Sequence, residues 1–333
     1  VKGVLTMKKV LLLPILGILI ILTACGNTNS IFSQSIQDTS YEIETYVYKQ
    51  SYGENIELDI VYPFESTYDK YPVVVYIHGG AYKGGDKSFG FEKGFFWYLN
   101  QMFLEAGYAV VSVNYTLADQ DKGTTMEDCF IDAKDAIRWL HKNSSDLGID
   151  AANIGLFGSS AGGGIVTMLG YTENDDFIGD PELSLYNSDV SFVINMYGGD
   201  TRDYLSLLEG YSTINEVPND LLDEMYQEGY KIGITEDDSL LEIIERMNKF
   251  NSLTYLDGND TPTITFHGTE DTTVNIQSSV MLHEKLDMLN IVNQFYRIEG
   301  MGHSFVSKAL TDSERIEYAK FAFNFAAGYY VGK

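Results

Sequence analysis

Hydrophobic positions along the chain follow two rhythms. Residues 43–49 and 56–62 alternate apolar and polar side chains on either side of Gly53-Glu54-Asn55, which predicts an antiparallel hairpin at a sheet edge. Residues 72–77 (PVVVYI) and 108–113 (YAVVSV) are near-continuous apolar runs, the pattern of parallel strands buried on both faces. Helical spacing fills the gaps. An apolar helix is expected over 95–106, and a second over 125–142, where Met126, Cys129, Ala133, Ala136, Ile137 and Leu140 share a face and Gly148 follows the end. Further strands are expected from Ile154, over 190–196 (VSFVINM), at 263–266 and at 293–298, with helices over 280–289 and 313–325. Such alternation implies right-handed crossovers onto a mainly parallel sheet with helices on both faces, an α/β fold.

Two stretches break the pattern. Residues 200–256 are rich in acids, Tyr and Leu and show helical spacing at 221–226 and 240–250 but no buried strand. They read as a helical insertion, a cap or lid, with a plain surface excursion as the alternative. At the other end, Lys8 and Lys9 precede an apolar run over 10–22 that contains Pro14 and Gly17 and runs into Thr23-Ala24-Cys25-Gly26. The run falls short of the ~20 residues a membrane span needs and has the charged, apolar and small-residue regions of a secretory signal. Leu22-Thr23-Ala24-Cys25 resembles the lipobox of bacterial lipoproteins, which implies lipidation at Cys25 and a protein exported and anchored to the membrane by lipid alone. The expected organisation is a signal over 1–24, a polar tether over 25–40 and one domain over 41–333 that carries the insertion.

Composition narrows the function. With 48 acidic against 22 basic residues the formal charge is −26, spread along the chain. This argues against nucleic acid, whose binding needs a basic surface. If Cys25 is lipidated, Cys129 is the only thiol left, so no intrachain disulfide is expected; Cys129 itself reads as a small buried hydrophobe. The five histidines show no metal-ligand spacing, and no Lys-Ser/Thr follows the glycine-rich turn as in a phosphate loop, so neither metal nor cofactor is expected.

Chemistry is suggested by Gly158-Ser159-Ser160-Ala161-Gly162, placed where a buried strand turns into a helix. In a G-x-S-x-G elbow the glycines allow a turn too tight for side chains, and the serine stands exposed. A Gly/Ser-rich loop without chemistry is the competing reading of the pentapeptide alone. A serine nucleophile needs a base and an orienting acid, and in open α/β sheets these lie at the carboxyl ends of strands. The strand at 263–266 exits into His267-Gly268-Thr269-Glu270-Asp271, and the strand at 293–298 into Gly300-Met301-Gly302-His303-Ser304-Phe305. The strand at 72–77 runs into His78-Gly79-Gly80-Ala81-Tyr82, a loop able to offer backbone donors.

From about residue 72 to 331 the chain resembles the alpha/beta-hydrolase esterase and lipase families, including small acetyl esterases and feruloyl-esterase-like members. Their HGGG, GxSAGG, HGxxDxxVP and GxGHxF motifs are matched in order at 78–81, 158–163, 267–275 and 300–305. The resemblance implies Ser160 as nucleophile, Asp271 as orienting acid and His303 as general base, with an oxyanion hole from the backbone of Ala161 and of Gly80 and Ala81. Ser159 lacks the elbow spacing, and Glu270 lies one place from the family's acid position. His78 and His267 are expected to brace their loops, and His141 and His283 to have no role. Two departures stand out: Ala81 replaces the third glycine, leaving the second oxyanion donor open, and Asn275 replaces the usual proline. The implied activity is that of a serine carboxylesterase acting on small-molecule or saccharide esters with short acyl groups. The alternatives are a prolyl-oligopeptidase-type peptidase, whose extra propeller this sequence is expected not to hold, and a binding lipoprotein that keeps the fold without the chemistry. The pocket wall is expected near Tyr82, Phe95, Phe96, Trp97 and residues 200–256.

Overall fold

The computed structural model describes residues 41–330, apart from 93 and 201 and the side chains of 202–204. The signal segment, Cys25 and the tether expected over 25–40 lie outside the described residues. Among those described, no helix is long and apolar enough to cross a membrane.

Among the described residues eight strands form one sheet in the order β1-β2-β4-β3-β5-β6-β7-β8. The edge hairpin joins β1 (Ile43–Ser51) to β2 (Glu54–Val61), and β2 runs antiparallel to β4 (Ala109–Val113). All later neighbours are parallel: β4 with β3 (Tyr71–Ile77), then β5 (Ile149–Ser159), β6 (Val193–Met196), β7 (Thr263–Gly268) and β8 (Asn293–Ile298). The hairpin turn lies at Tyr52 and Gly53, with φ of 49° and 80°, and Glu54 and Asn55 already pair with Ser51 and Gln50. The sequence placed the turn slightly later. A two-residue turn with both central φ positive fits the twist of the flanking strands, so the tighter connection wins.

The continuous apolar strands are explained by the layers. Val73, Val75, Ile77, Val111, Ile154 and Leu156 face a core shared with α2 (Met126–Asn143) and α3 (Ala161–Tyr171). Val74, Tyr76, Val110, Phe157, Ile194 and Phe266 face the opposite core with α1 (Phe95–Glu105) and α8 (Asp312–Ala327). Each central strand therefore needs apolar residues at odd and even positions alike. On the α3 side, α7 (Ile276–Leu289) adds Leu282 and Leu286.

The break in the pattern over 200–256 is a helical insertion of α4 (Arg202–Leu208), α5 (Asn219–Gly229) and α6 (Leu240–Lys249). Its Leu208, Met225, Ile232, Ile243, Met247 and Phe250 join the core of α2 and α3. The start of α6 is fixed by a capping box between Ser239 and Glu242.

Helix α2 buries charge as well as apolar residues. Asp132, Lys134, Asp135 and Arg138 are all at most 1% exposed. Asp135 accepts from Arg138 at 2.9 Å and from Lys49 of β1 at 2.7 Å, while Arg138 also donates to the carbonyls of Asn174, Asp176 and Phe177. These bonds seat the loop after α3 on the helix. Removing one partner from such a buried set costs about 3–5 kcal/mol, because the other charge stays behind unpaired.

Candidate active site

Four strand ends converge at the carboxyl edge of the sheet, from β3, β5, β7 and β8. After β5 the chain reverses at Ser160, whose φ of 54° and ψ of −122° lie outside the usual regions for an L-residue. The backbone is held there by Ser160 N–H donating to Met196 O at 2.9 Å and by Gly164 N–H donating to Ser160 O at 3.1 Å. Glycine is required on both sides by close approach. A Cβ on Gly158 would lie 2.2 Å from Gly162 O, and one on Gly162 would lie 2.1 Å from Ile77 O.

The elbow sends its two serines in different directions. Ser159 is 4% exposed, with Oγ 3.2 Å from the Tyr76 hydroxyl in the core. Ser160 Oγ lies 2.8 Å from Nε2 of His303, whose Nδ1 lies 2.7 Å from Asp271 Oδ2. Asp271 Oδ1 accepts from the backbone N–H groups of Thr273 at 2.9 Å and Val274 at 3.0 Å. Burial alone would raise the Asp271 pKa. The hydrogen bonds from His267, His303, Val274 and Thr273 outweigh it and hold the carboxyl well below its ordinary range. The neighbouring Glu270 is exposed to solvent.

The other histidines have partners of their own. His78 stacks on Tyr115 at 4.3 Å and contacts Gly79 O through Nδ1, and burial lowers its pKa. His283 stacks on Phe295 and bonds Asn293 Oδ1, and His141 meets Asp189 O. His267 braces its loop as the sequence suggests, through Val274 O at 2.9 Å, but it also contacts Asp271 Oδ2 at 3.2 Å. Tyr197, which the sequence reading passed over, turns at φ 43° after β6 and sets its ring edge-to-face on His303 at 4.9 Å. The available signal was an aromatic residue before Gly198-Gly199 at a strand's carboxyl end.

Ser160 opens onto a cavity of about 330 Å3. Ala81, Tyr82 and Ala161 line it beside Ser160, Met126 comes from α2, and Met225, Ile232 and Met247 come from the insertion. Gly80 is not among the lining residues; its φ is 127° and its carbonyl accepts from Lys83 and Gly84 N–H. Ala81 has φ 55° and Tyr82 φ 65°, so two non-glycine residues carry the strain of the loop. The expected wall at Phe95, Phe96 and Trp97 is not there. Phe95 and Trp97 are 5% and 1% exposed in the core, and Phe95 stacks on Phe305 at 3.9 Å, which seats the loop carrying His303. Asn275, where the resembling families have proline, caps α7 by accepting from Gln277 N–H at 2.9 Å. Among the described residues no group of three His, Cys, Asp or Glu side chains is placed to hold a metal ion.

Solved structures share this architecture. An esterase of Thermogutta terrifontis with butyrate bound superposes with a TM-score of 0.67 at 22% identity over 87% of this chain and 96% of its own. A truncated carbohydrate esterase from gut microbiota gives 0.67 at 20% identity, over 88% and 100%. The fold is that of the alpha/beta-hydrolases. Within that class the BD-FAE family model matches residues 58–286, and the chain belongs to the BD-FAE family. The ethyl acetate hydrolase of Pseudomonas putida is 40% identical over 96 residues, 29% of this chain and 28% of its own length. A probable isoprenylcysteine alpha-carbonyl methylesterase of Arabidopsis thaliana is 26% identical over 74% of this chain and 48% of its own. The matched stretches thus span less than half of these two relatives.

Proposed function

We propose that the chain is a serine carboxylesterase that hydrolyses short-acyl esters through Ser160, His303 and Asp271. The observation that carries this reading is the unbroken line from Ser160 Oγ through the His303 imidazole to Asp271, at 2.8 and 2.7 Å, at the wall of a cavity. Ser160 Oγ bonds to the ester carbonyl carbon while its proton passes to His303 Nε2. The oxyanion is met by the N–H groups of Ala161, at the start of α3, and of Ala81, each worth about 2.7–4 kcal/mol in the transition state. Gly80 offers its own N–H from the same loop as a further donor. The tetrahedral species collapses as the His303 proton goes to the leaving alcohol, and water repeats the sequence to release the acid. Asp271 holds the imidazolium without taking its proton.

Acyl size is set by the cavity, which lies at the small end of the roughly 300–1,000 Å3 of ligand pockets. The butyrate-bound structural neighbour and the ethyl acetate hydrolase among the relatives support a short acyl group. On p-nitrophenyl esters, acetate and butyrate are the expected best substrates, with a steep fall beyond. Met225→Phe narrows the cavity and is expected to lower kcat/KM for butyrate relative to acetate by about tenfold, the scale of one to two methylenes in an apolar pocket. An unchanged ratio in the folded variant would place the acyl group elsewhere.

The reading extends to location. The pattern over residues 8–25 supports export and lipid anchoring through Cys25, so the enzyme works outside the cytoplasm on a tether. Cys25→Ser in the expressing bacterium is expected to move the protein from the membrane fraction to the soluble one. A variant that stays membrane-bound after a salt and carbonate wash would rule out that anchor.

A further inference from the structure

The geometry points to His267 as a positioning residue for the reaction, acting on the same Asp271 oxygen that His303 meets; the inference rests on the serine-esterase reading. His267 is the next-to-last residue of β7 and is fully buried. Its Nδ1 lies 2.8 Å from the hydroxyl of Ser279 on α7, itself fully buried. Its Nε2 lies 2.9 Å from Val274 O and 3.2 Å from Asp271 Oδ2. A carbonyl oxygen only accepts, so Nε2 carries a proton. That single N–H is directed at the loop carbonyl, and the carboxylate oxygen lies beside it at 3.2 Å.

The consequence is a carboxylate gripped on every side. Oδ1 receives the Thr273 and Val274 N–H groups, and Oδ2 meets His303 Nδ1 at 2.7 Å and has His267 Nε2 beside it at 3.2 Å. The backbone donors fix one oxygen but leave the carboxyl plane free to swing about it. His267 fixes the second oxygen, and with it the direction in which Asp271 meets His303 Nδ1. It also withdraws part of the charge on Oδ2, so Asp271 orients the imidazole without holding its proton too tightly. The charged and titratable groups facing this assembly are Asp271, His303 on the same oxygen and Tyr197, whose ring meets His303. A residue that only closed the 268–274 loop would affect stability and leave the ionisation of His303 unmoved.

Two amides separate the possibilities, because the Gln nitrogen can reach the place of Nε2 and the shorter Asn nitrogen only that of Nδ1. His267→Asn keeps a partner for Ser279 and loses the N–H beside Asp271. It is expected to lower kcat for p-nitrophenyl acetate on the order of 10^2-fold, the effect of a small misplacement of a catalytic group, with KM little changed. The acid limb of kcat/KM should move to higher pH by roughly half a unit, a fraction of what one hydrogen bond to a charged group is worth. The sign follows from a carboxylate left with more charge to share with His303, which then must lose its proton at higher pH to act as base. His267→Gln should recover most of both effects. The pH dependence of fluorophosphonate labelling reads the same limb without a substrate. Asn and Gln variants with equal losses, or an Asn variant with the wild-type limb, would overturn the inference. Should the Asn variant not fold, Ser279→Ala frees the ring to turn, and an unmoved limb there would also overturn it. A wild-type protein that does not label at all would instead overturn the esterase reading on which the inference rests.

Discussion

Ser160→Ala is expected to lower kcat for p-nitrophenyl acetate on the order of 10^6-fold and to abolish fluorophosphonate labelling, while circular dichroism stays unchanged. The size follows from the division of labour at the site. Without Oγ no acyl-enzyme forms, and what remains is the oxyanion hole and binding, which sustain only a background rate above that of water. The fold should tolerate the change, because the positive φ at position 160 is imposed by Gly158, Gly162 and the bond from residue 160 N–H to Met196 O, none of which involves the side chain. The lost hydrogen bond to His303 is worth about 1 kcal/mol. Ser159→Ala supplies the contrast: its hydroxyl touches Tyr76 in the core, so most activity should survive. Retention of most activity by the Ser160 variant, or labelling that follows Ser159, would remove the mechanism and leave the binding-protein reading of this fold.

Much of this architecture is written in local pattern. Runs such as 72–77 are apolar at every position because a central strand faces two cores, and that demand is visible without coordinates. The elbow was legible for a similar reason, since Gly158 and Gly162 answer a backbone collision that no other residue survives. Asp271 could be preferred to Glu270 by position, and in the structure only the position of Asp271 lets its carboxylate meet two N–H groups of the following turn and His303 together. What stayed hidden depends on contacts between distant segments. Nothing in the local pattern marks Arg138 and Lys134 as buried; the loop over 172–177 covers them with carbonyls. Phe95 reads as pocket wall because it is aromatic and near the oxyanion loop in sequence, yet its ring is spent on Phe305. The cavity lining of Met225, Ile232 and Met247 comes from an insertion whose sequence fixes helices but not their docking.

Asp271→Asn should be the second most damaging change, lowering kcat by ~10^4-fold, as expected when the orienting acid is lost and the base is held in the wrong tautomer. The surroundings of Asp271 decide which way the new amide points. Thr273 and Val274 both donate to the Oδ1 position, so the amide oxygen must stay there and the NH2 must take the place of Oδ2. That NH2 then faces His303 Nδ1, which can meet it only as an acceptor. The ring proton moves to Nε2, the atom that must accept from Ser160, and general-base catalysis stops. The same substitution reports on stability with a defined sign. Because the folded protein holds the Asp271 carboxyl below its ordinary range, its ionised form contributes stability that is fully present above about pH 5. That contribution shrinks as pH falls through the unfolded value near 3.9 and is gone only below the folded one. Urea unfolding should therefore find the variant less stable than the wild type at neutral pH, with the gap closing as pH falls toward 3. A gap that is constant with pH, or kcat within tenfold of wild type, would mean that Asp271 does not hold His303 as an anion.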